Sequence, residues 1–326
     1  GSVVMVGGTV GVLLVRQFIY ERLSPLVSQN LTNLVNRPVE IGEVESFRLD
    51  RIRLGESTVP PTETDFDRID IEAVDVRFNL WEVITQQSLT LNITLVEPSI
   101  YLDQTADGAW LQTEFTPGGE PGVIQVKLNR INLDDATVTL QPFDWEQLET
   151  IDTTATEFDG ALLPPSDAIA PIVLQQVNGG ATFRNDNTLI GFEADGTPES
   201  GGRFGLQGEA DLENSRLNLS LQGNQLAIPR VGTVVRSPLT FQAGTANANL
   251  DVALNLEDLM EFDLQGSLRF EDLATAIENV PNDVKNASGV LRFQGQTITV
   301  EDTTAQYGEI EAIARGLVDL NEGYDL

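Results

Sequence analysis

Leu89-Thr-Leu-Asn-Ile-Thr-Leu95 decides the fold class of this chain. Side chains alternate faces along a strand, whereas a helix repeats every 3.6 residues. The segment therefore predicts a strand with Leu89, Leu91, Ile93 and Leu95 on an apolar face and Thr90, Asn92 and Thr94 on a wet one. The pattern recurs upstream in Ile69-Asp-Ile71 and Val74-Asp-Val-Arg-Phe78, with a phase slip at Ala73 that predicts a bulge. Downstream it returns in Ile100-Tyr-Leu102, Val126-Lys-Leu128, Val138-Thr-Leu140, Leu217-Asn-Leu-Ser-Leu221 and Leu250-Asp-Val-Ala-Leu-Asn-Leu256. Gly, Pro, Asn and Asp separate these runs, as turns between short strands require. Asp134-Asp135 reads as one such turn, Trp81 to Thr85 as a single helical turn, and Asp272 to Val280 as a short helix stopped by Pro281.

The N-terminus is different. Val3 to Val15 is an uncharged run, and a helix from Val3 to Leu23 would be about 31 Å long, enough to cross a bilayer. The predicted membrane anchor, residues 1–23, uses Val3, Val4, Val6, Val10, Val12, Leu13, Leu14, Val15, Phe18 and Ile19, with Arg16 near one interface. Ile19, Leu23, Leu26, Val27, Leu31, Leu34 and Val35 then fall at helical spacing, which predicts an amphipathic juxtamembrane helix over 24–37 ending before Pro38. A β domain is expected over 38–143, an irregular or helical connector over 144–176, and further β repeats over 177–326. Glycine-rich turns in that last part predict antiparallel meanders, and its strand pattern persists to the final residues as though more of it followed.

Composition excludes much chemistry. The chain has 50 acidic and 19 basic residues and a net charge of −31, which repels phosphate backbones and argues against nucleic-acid binding. It has no cysteine and no histidine, which removes the common zinc, copper, haem and iron–sulfur ligands. Nucleophilic triads built on histidine are removed with them. Asp103-x-Thr105-x-Asp107-Gly108-x5-Glu114 has calcium-loop spacing, but strand-like flanks on both sides predict a hairpin turn instead of an EF-hand. Adjacent carboxylates such as Asp134/Asp135 and Glu271/Asp272 are expected to be solvated. No glycine cluster opens a helix as a nucleotide site would require. The expectation is a protein without catalytic residues, cofactor or metal.

Several stretches carry a resemblance to a known family. They are Leu23-Ser-Pro-Leu-Val27, Val35-Asn-Arg-Pro-Val-Glu-Ile-Gly-Glu-Val44, Arg53-Leu-Gly-Glu-Ser57 and the run from Asp67 to Phe78. Leu95-Val-Glu-Pro-Ser-Ile-Tyr-Leu-Asp103, Asp107-Gly-Ala-Trp110, Asn286-Ala-Ser-Gly-Val-Leu-Arg-Phe293 and Gly316-Leu-Val-Asp-Leu320 extend it. In this order behind one apolar anchor, the chain resembles the TamB family of the AsmA-like group, especially its cyanobacterial and chloroplast members. The resemblance implies a mainly β protein: an elongated, curved antiparallel sheet forming an open apolar groove behind a transmembrane helix and an amphipathic helix. It also implies anchorage in the inner membrane, a β region in the periplasm (or a plastid intermembrane space) and an Omp85-family, TamA-like outer-membrane barrel as partner. The implied roles are phospholipid movement between membranes and support of outer-membrane protein assembly. The alternative is a scaffold or tether that conducts no lipid, or a protein-translocation component, linking the inner membrane to an outer-membrane barrel.

Under that resemblance phospholipid acyl chains are the expected occupants of the groove. The candidate floor is Ile69, Ile71, Val74, Val76, Phe78, Leu89, Leu91, Ile93, Leu95, Val138, Leu140, Leu217, Leu219, Leu221, Leu250, Val252, Leu254 and Leu256. Alternation alone equally permits these residues to pack against an opposing sheet as the core of a sandwich or closed barrel.

Overall fold

The alternation contains a recurrent defect. Leu133-Asp-Asp-Ala136, Leu174-Gln-Gln-Val177, Gly223-Asn-Gln-Leu226, Phe270-Glu-Asp-Leu273, Val284-Lys-Asn-Ala287 and Val300-Glu-Asp-Thr303 each place two polar residues where one belongs. In a regular strand one extra residue would turn everything beyond it to the opposite face. A β-bulge absorbs that residue and bends the strand, so the face is kept. In the computed structural model all six are bulges, marked by register shifts in the pairing. The second polar residue of each has a left-handed backbone: Asp135 (φ 54), Gln176 (52), Gln225 (51), Asp272 (52), Asn286 (50) and Asp302 (43).

The structure describes Thr32 and residues 37–62, 65–79, 81–82, 85, 88–105, 108, 110, 125–144, 169–234, 239–258, 261–277 and 280–319. The first strands are β1 (Val44–Arg48), β2 (Arg51–Leu54), β3 (Ser57–Val59), β4 (Arg68–Ile71), β5 (Ala73–Phe78), β6 (Ser88–Val96) and β7 (Ser99–Asp103). Longer strands follow: β8 (Gln125–Gln141), β9 (Ile172–Arg184), β10 (Leu189–Pro198), β11 (Arg203–Asp211) and β12 (Arg216–Ala227). After a short helix α1 (Ile228–Val231) and one 3-10 turn (Gly232–Val234) come β13 (Leu239–Asn255), β14 (Phe262–Ile277), β15 (Val284–Gly295), β16 (Thr297–Tyr307) and β17 (Ile310–Asp319).

All seventeen belong to one large curved sheet that is mostly antiparallel and not closed. From β8 to β17 each strand pairs antiparallel with the next, the meander that the glycine turns predict. The earlier strands come in halves. β2 and β3, β4 and β5, and β6 and β7 are consecutive strands separated only by Gly55-Glu56, Glu72 and Glu97-Pro98. One set of halves pairs as β1–β2–β5–β6–β8 and the other as β3–β4–β7–β8. These breaks continue the line of bulges, so one crease crosses the sheet.

Exposure shows which way the crease bends. The paired polar residues Asp134/Asp135, Gln175/Gln176, Asn224/Gln225, Glu271/Asp272 and Lys285/Asn286 are exposed. On the opposite face even small side chains at the crease are buried: Ala136 is 0% exposed, Val177 3%, Ala246 4% and Ala287 4%. The apolar face is therefore the inside of the angle. Ile228 also packs there with Ala246, Phe270 and Ala287. A second cluster, built on Ile52, Leu54, Val74, Val76, Leu91 and Ile93, forms a packed core at the N-terminal end of the sheet.

Four local expectations change. Asp134-Asp135 is a bulge inside one continuous strand and not a turn, because the apolar positions on either side of it stay on one face. Asp272 belongs to β14, which continues to Ile277, because cross-strand pairing to β13 and β15 outweighs local helical preference. The slip at Ala73 separates β4 from β5 instead of bulging a single strand. β7 and β8 pair in parallel, so the Asp107-Gly108 stretch does not join a hairpin, and β6 is likewise parallel to β8. Trp81, Glu82 and Thr85 are helical as expected, and β9 begins at Ile172, inside the expected connector. The expected anchor lies outside the described residues, and so does the expected amphipathic helix except for Thr32, which is helical, and Arg37, which is a bend. Among the described residues no helix is long and apolar enough to cross a membrane.

A left-handed backbone costs an ordinary L-residue about 1–2 kcal/mol, and glycine little. Gln225→Gly is expected to stabilise the chain by about 1 kcal/mol. Gly244→Ala (φ 117) is expected to destabilise it by more, since an added Cβ would lie 2.7 Å from Leu273 Cα. Urea unfolding midpoints of the two variants check both signs.

Candidate functional site: a continuous apolar face

Residues paired across neighbouring strands project from the same face of a sheet, so the registers trace each face from edge to edge. One row runs Val44, Leu54, Val74, Leu95, Leu133, Gly179, Ala194 on β1, β2, β5, β6, β8, β9 and β10. It continues as Leu206, Leu221, Leu250, Gly266, Phe293, Ile298 and Val318 on β11 to β17. Every position is apolar or glycine. At about 4.8 Å per strand spacing the row is about 60 Å long. A second row beside it contains Ile52, Val76, Ile93, Ile131, Ala181, Phe192, Gly208, Leu219, Val252 and Leu264. On β12 the apolar positions from Leu217 to Gly223 cover about 20 Å along the strand.

The predicted floor residues differ in their surroundings. Ile71, Val74, Val76, Phe78, Leu89, Leu91 and Ile93 are buried in the N-terminal core, with Val76 and Ile93 at 0% exposure, and Ile69 and Leu95 pack against it. Phe47, Ile41 and Val44 cover part of that cluster. Val138 and Leu140 lie half-buried beyond the crease, paired to Ile100 and Leu102. Leu217, Leu219, Leu221, Leu250, Val252 and Leu254 lie together, half-buried, on β12 and β13. Leu256 stands apart: it follows β13 and is exposed. Sequence reading missed Phe192, Leu206, Phe262, Leu264, Phe293, Ile298 and Val318, which share this face. Alternation was present there, in Phe262-Asp-Leu264 for example, but interleaved glycines and alanines diluted it.

The other face is polar. Arg130–Glu193 (2.9 Å), Arg184–Glu209 (2.7 Å) and Arg292–Glu301 (2.6 Å) form exposed ion pairs there, and the Ser220 hydroxyl donates to Asp251. Exposed pairs of this kind contribute little stability; their effect is to keep this face wet. An open depression between β8 and β14 is lined by the first two of these pairs together with Ser220 and Asp251. On the outside of the crease, Glu72, with Asp135 and Asp134 adding to it, raises the Glu97 carboxyl above its ordinary range.

A polar cluster is buried around Arg37. Arg37 pairs with Asp65 (2.9 Å) and donates to the carbonyls of Pro60 (2.9 Å) and Asp67 (2.5 Å). Asp67 accepts from the Asp103 backbone N–H (2.7 Å), while its Oδ2 is buried with no hydrogen-bond partner. Burial pushes Asp67 up to about 6, aided by Asp65 and opposed by the Asp103 N–H and Arg37. Burial, with the Asp65 charge, also pushes Asp103 up to about 6. Among the described residues no group of carboxylates is placed to hold a metal ion.

Comparison with protein-family models, with curated proteins and with solved structures finds no match. What the chain does is therefore read from its geometry, and the 60 Å apolar face is the feature of the described residues that asks for a function.

Because Asp67 holds its proton more tightly folded than unfolded, it destabilises the folded chain above pH 6, and that cost fades as pH falls toward 4. Asp67→Asn is expected to stabilise the protein at pH 7 by on the order of 2 kcal/mol. The advantage should shrink to little by pH 4, as read from urea unfolding at each pH.

Proposed function

We propose that this chain is a conduit for phospholipid acyl chains, using the apolar face of β10 to β17 as its open floor. The observation that carries the reading is the unbroken apolar row across fourteen strands, which from β10 onward is half-buried or exposed and, among the described residues, faces no second sheet. An acyl chain of about fifteen carbons costs on the order of 12 kcal/mol to expose to water, at about 0.8 kcal/mol per CH₂. A strip on which the chain stays covered at every step lowers that barrier with no bond made or broken. The row runs across the strands, so its length is set by strand number. More strands of the same kind would lengthen the path without changing its chemistry.

The N-terminal part of the row has a different place in this reading. Its side chains fill one another's space, so Val76 and Ile93 form a closed end instead of a floor. Together with the resemblance to the TamB family, the reading is of an inner-membrane-anchored, periplasm-spanning β groove. It moves phospholipids toward the outer membrane and/or supports outer-membrane protein assembly with an Omp85-family barrel.

A second reading is a scaffold that binds a partner through a free sheet edge. The observation favouring it is β17, which among the described residues pairs only with β16 and on which Ile310, Ile313 and Leu317 are 67–74% exposed. Such edges recruit further strands unless protected.

The test is mass spectrometry of phospholipid retained by the purified chain, compared with two variants. Leu219→Asp is expected to remove most retained lipid while the chain stays folded. Ile93→Asp should instead unfold the N-terminal core, at a cost above about 4 kcal/mol for an unpaired buried charge. Lipid retained undiminished by a folded Leu219→Asp chain, or absent from the wild type, contradicts the conduit.

A further inference from the structure

Past its bulge β12 continues only to Ala227, and the chain then leaves the sheet as α1 and the 3-10 turn. These seven residues do not hang free. Ile228 is buried against Ala246, Phe270 and Ala287 on the inner side of the crease. Gly232 lies so close to the Phe241 ring that a Cβ there would come within 2.5 Å of it. At the far end the Val234 carbonyl accepts a hydrogen bond from Gln104 Nε2 at 3.1 Å. Gln104 follows β7 and is only 3% exposed. Its side chain is fully engaged: Nε2 also donates to the Gly108 carbonyl (3.3 Å), and Oε1 accepts from the Phe143 N–H (3.1 Å).

The contact spans the sheet. In pairing order β7 and β12 are five spacings apart, about 24 Å measured along the sheet. Four α-helical and three 3-10 residues advance about 12 Å, so sheet curvature supplies the remainder. The residue that closes the gap lies on the inner face, since Gln104 has the same parity as Leu102, which pairs with Leu140. It lies beyond the crease beside the end of β8, the strand that joins the N-terminal strands to the meander.

We propose that Ile228–Val234 is a strap across the apolar face, and that Gln104 is the latch that holds it shut. The strap divides the closed end from the open floor and governs how acyl chains enter or leave at that end. This role rests on the conduit reading, whereas the latch itself does not. Gln104 is a positioning residue, touching the strap and not the lipid.

The test uses the whole chain and Gln104→Met, which keeps the side-chain volume and removes the donor. Amide hydrogen exchange over 228–234 is expected to accelerate about fivefold or more, the factor for one lost hydrogen bond, with exchange in β12 and β14 unchanged. Release of a fluorescent-tailed phospholipid into phosphatidylethanolamine–phosphatidylglycerol vesicles should accelerate by a similar factor. Gln104→Cys with Val234→Cys, in a chain that has no other cysteine, joined by a short bismaleimide, should slow release below wild type. Unchanged exchange over 228–234 in Gln104→Met overturns the latch. Faster exchange with unchanged lipid release in both variants overturns the gating role and leaves the strap structural. A wild-type chain that takes up no labelled lipid overturns the conduit and the gate with it. That result is distinguishable from a failed latch because hydrogen exchange reads the latch without lipid.

Discussion

The structure depends on keeping one face apolar while its long strands bend. A long strand that turns a corner needs an extra residue on its outer side, and that residue would normally invert the pattern beyond it. This chain solves the problem the same way six times, with two polar residues side by side and a left-handed backbone at the second. Both polar side chains go outward and the apolar rows pass the corner unbroken. Because the corners align from strand to strand, the bends add into one crease. Without that alignment the sheet would twist as independent ribbons, and the rows from Val44 to Val318 would lose their continuity.

The two ends of the sheet put the same face to different uses. In β2, β5 and β6 branched and large residues fill the inside of the angle, and exposure falls to zero at Val76 and Ile93. From β10 onward glycine and alanine alternate with leucine and phenylalanine along the rows, as in Gly208 beside Leu219 and Gly266 beside Phe293 and Leu250. The small residues make room for larger neighbours: a Cβ added at Gly208 would come within 2.5 Å of the Phe192 ring, and one at Gly223 within 2.5 Å of Leu226. An open apolar strip invites aggregation. The net charge of −31 opposes it by repulsion between copies.

Much of this was legible in the sequence. Leu89 to Leu95 announced strand and face correctly, and the glycine-rich turns announced the meander. What escaped was non-local. Asp134-Asp135 and Glu271-Asp272 look like turns or solvated pairs because nothing within ten residues says that the chain continues straight past them. Only the pairing of Ala136 with Val177 and of Leu273 with Ala287 makes them bulges. Likewise Ile93 and Leu219 have the same local pattern, yet one is core and the other half-exposed. That difference lies in what packs above each residue, which alternation does not encode. The Gln104–Val234 contact joins residues 130 apart and had no local signature at all.

The central claim is that the apolar face from β10 to β17 is covered by lipid and the opposite face by water. A photoreactive side chain placed singly at Leu219, Leu250 or Phe293, and for comparison at Ser220, Gln265 or Gln294, reads this directly in the membrane-associated protein. The account predicts phospholipid adducts at the first three positions and none above background at the second three. Adducts to protein alone at Leu219, Leu250 and Phe293, or lipid adducts equally on both faces, would contradict it.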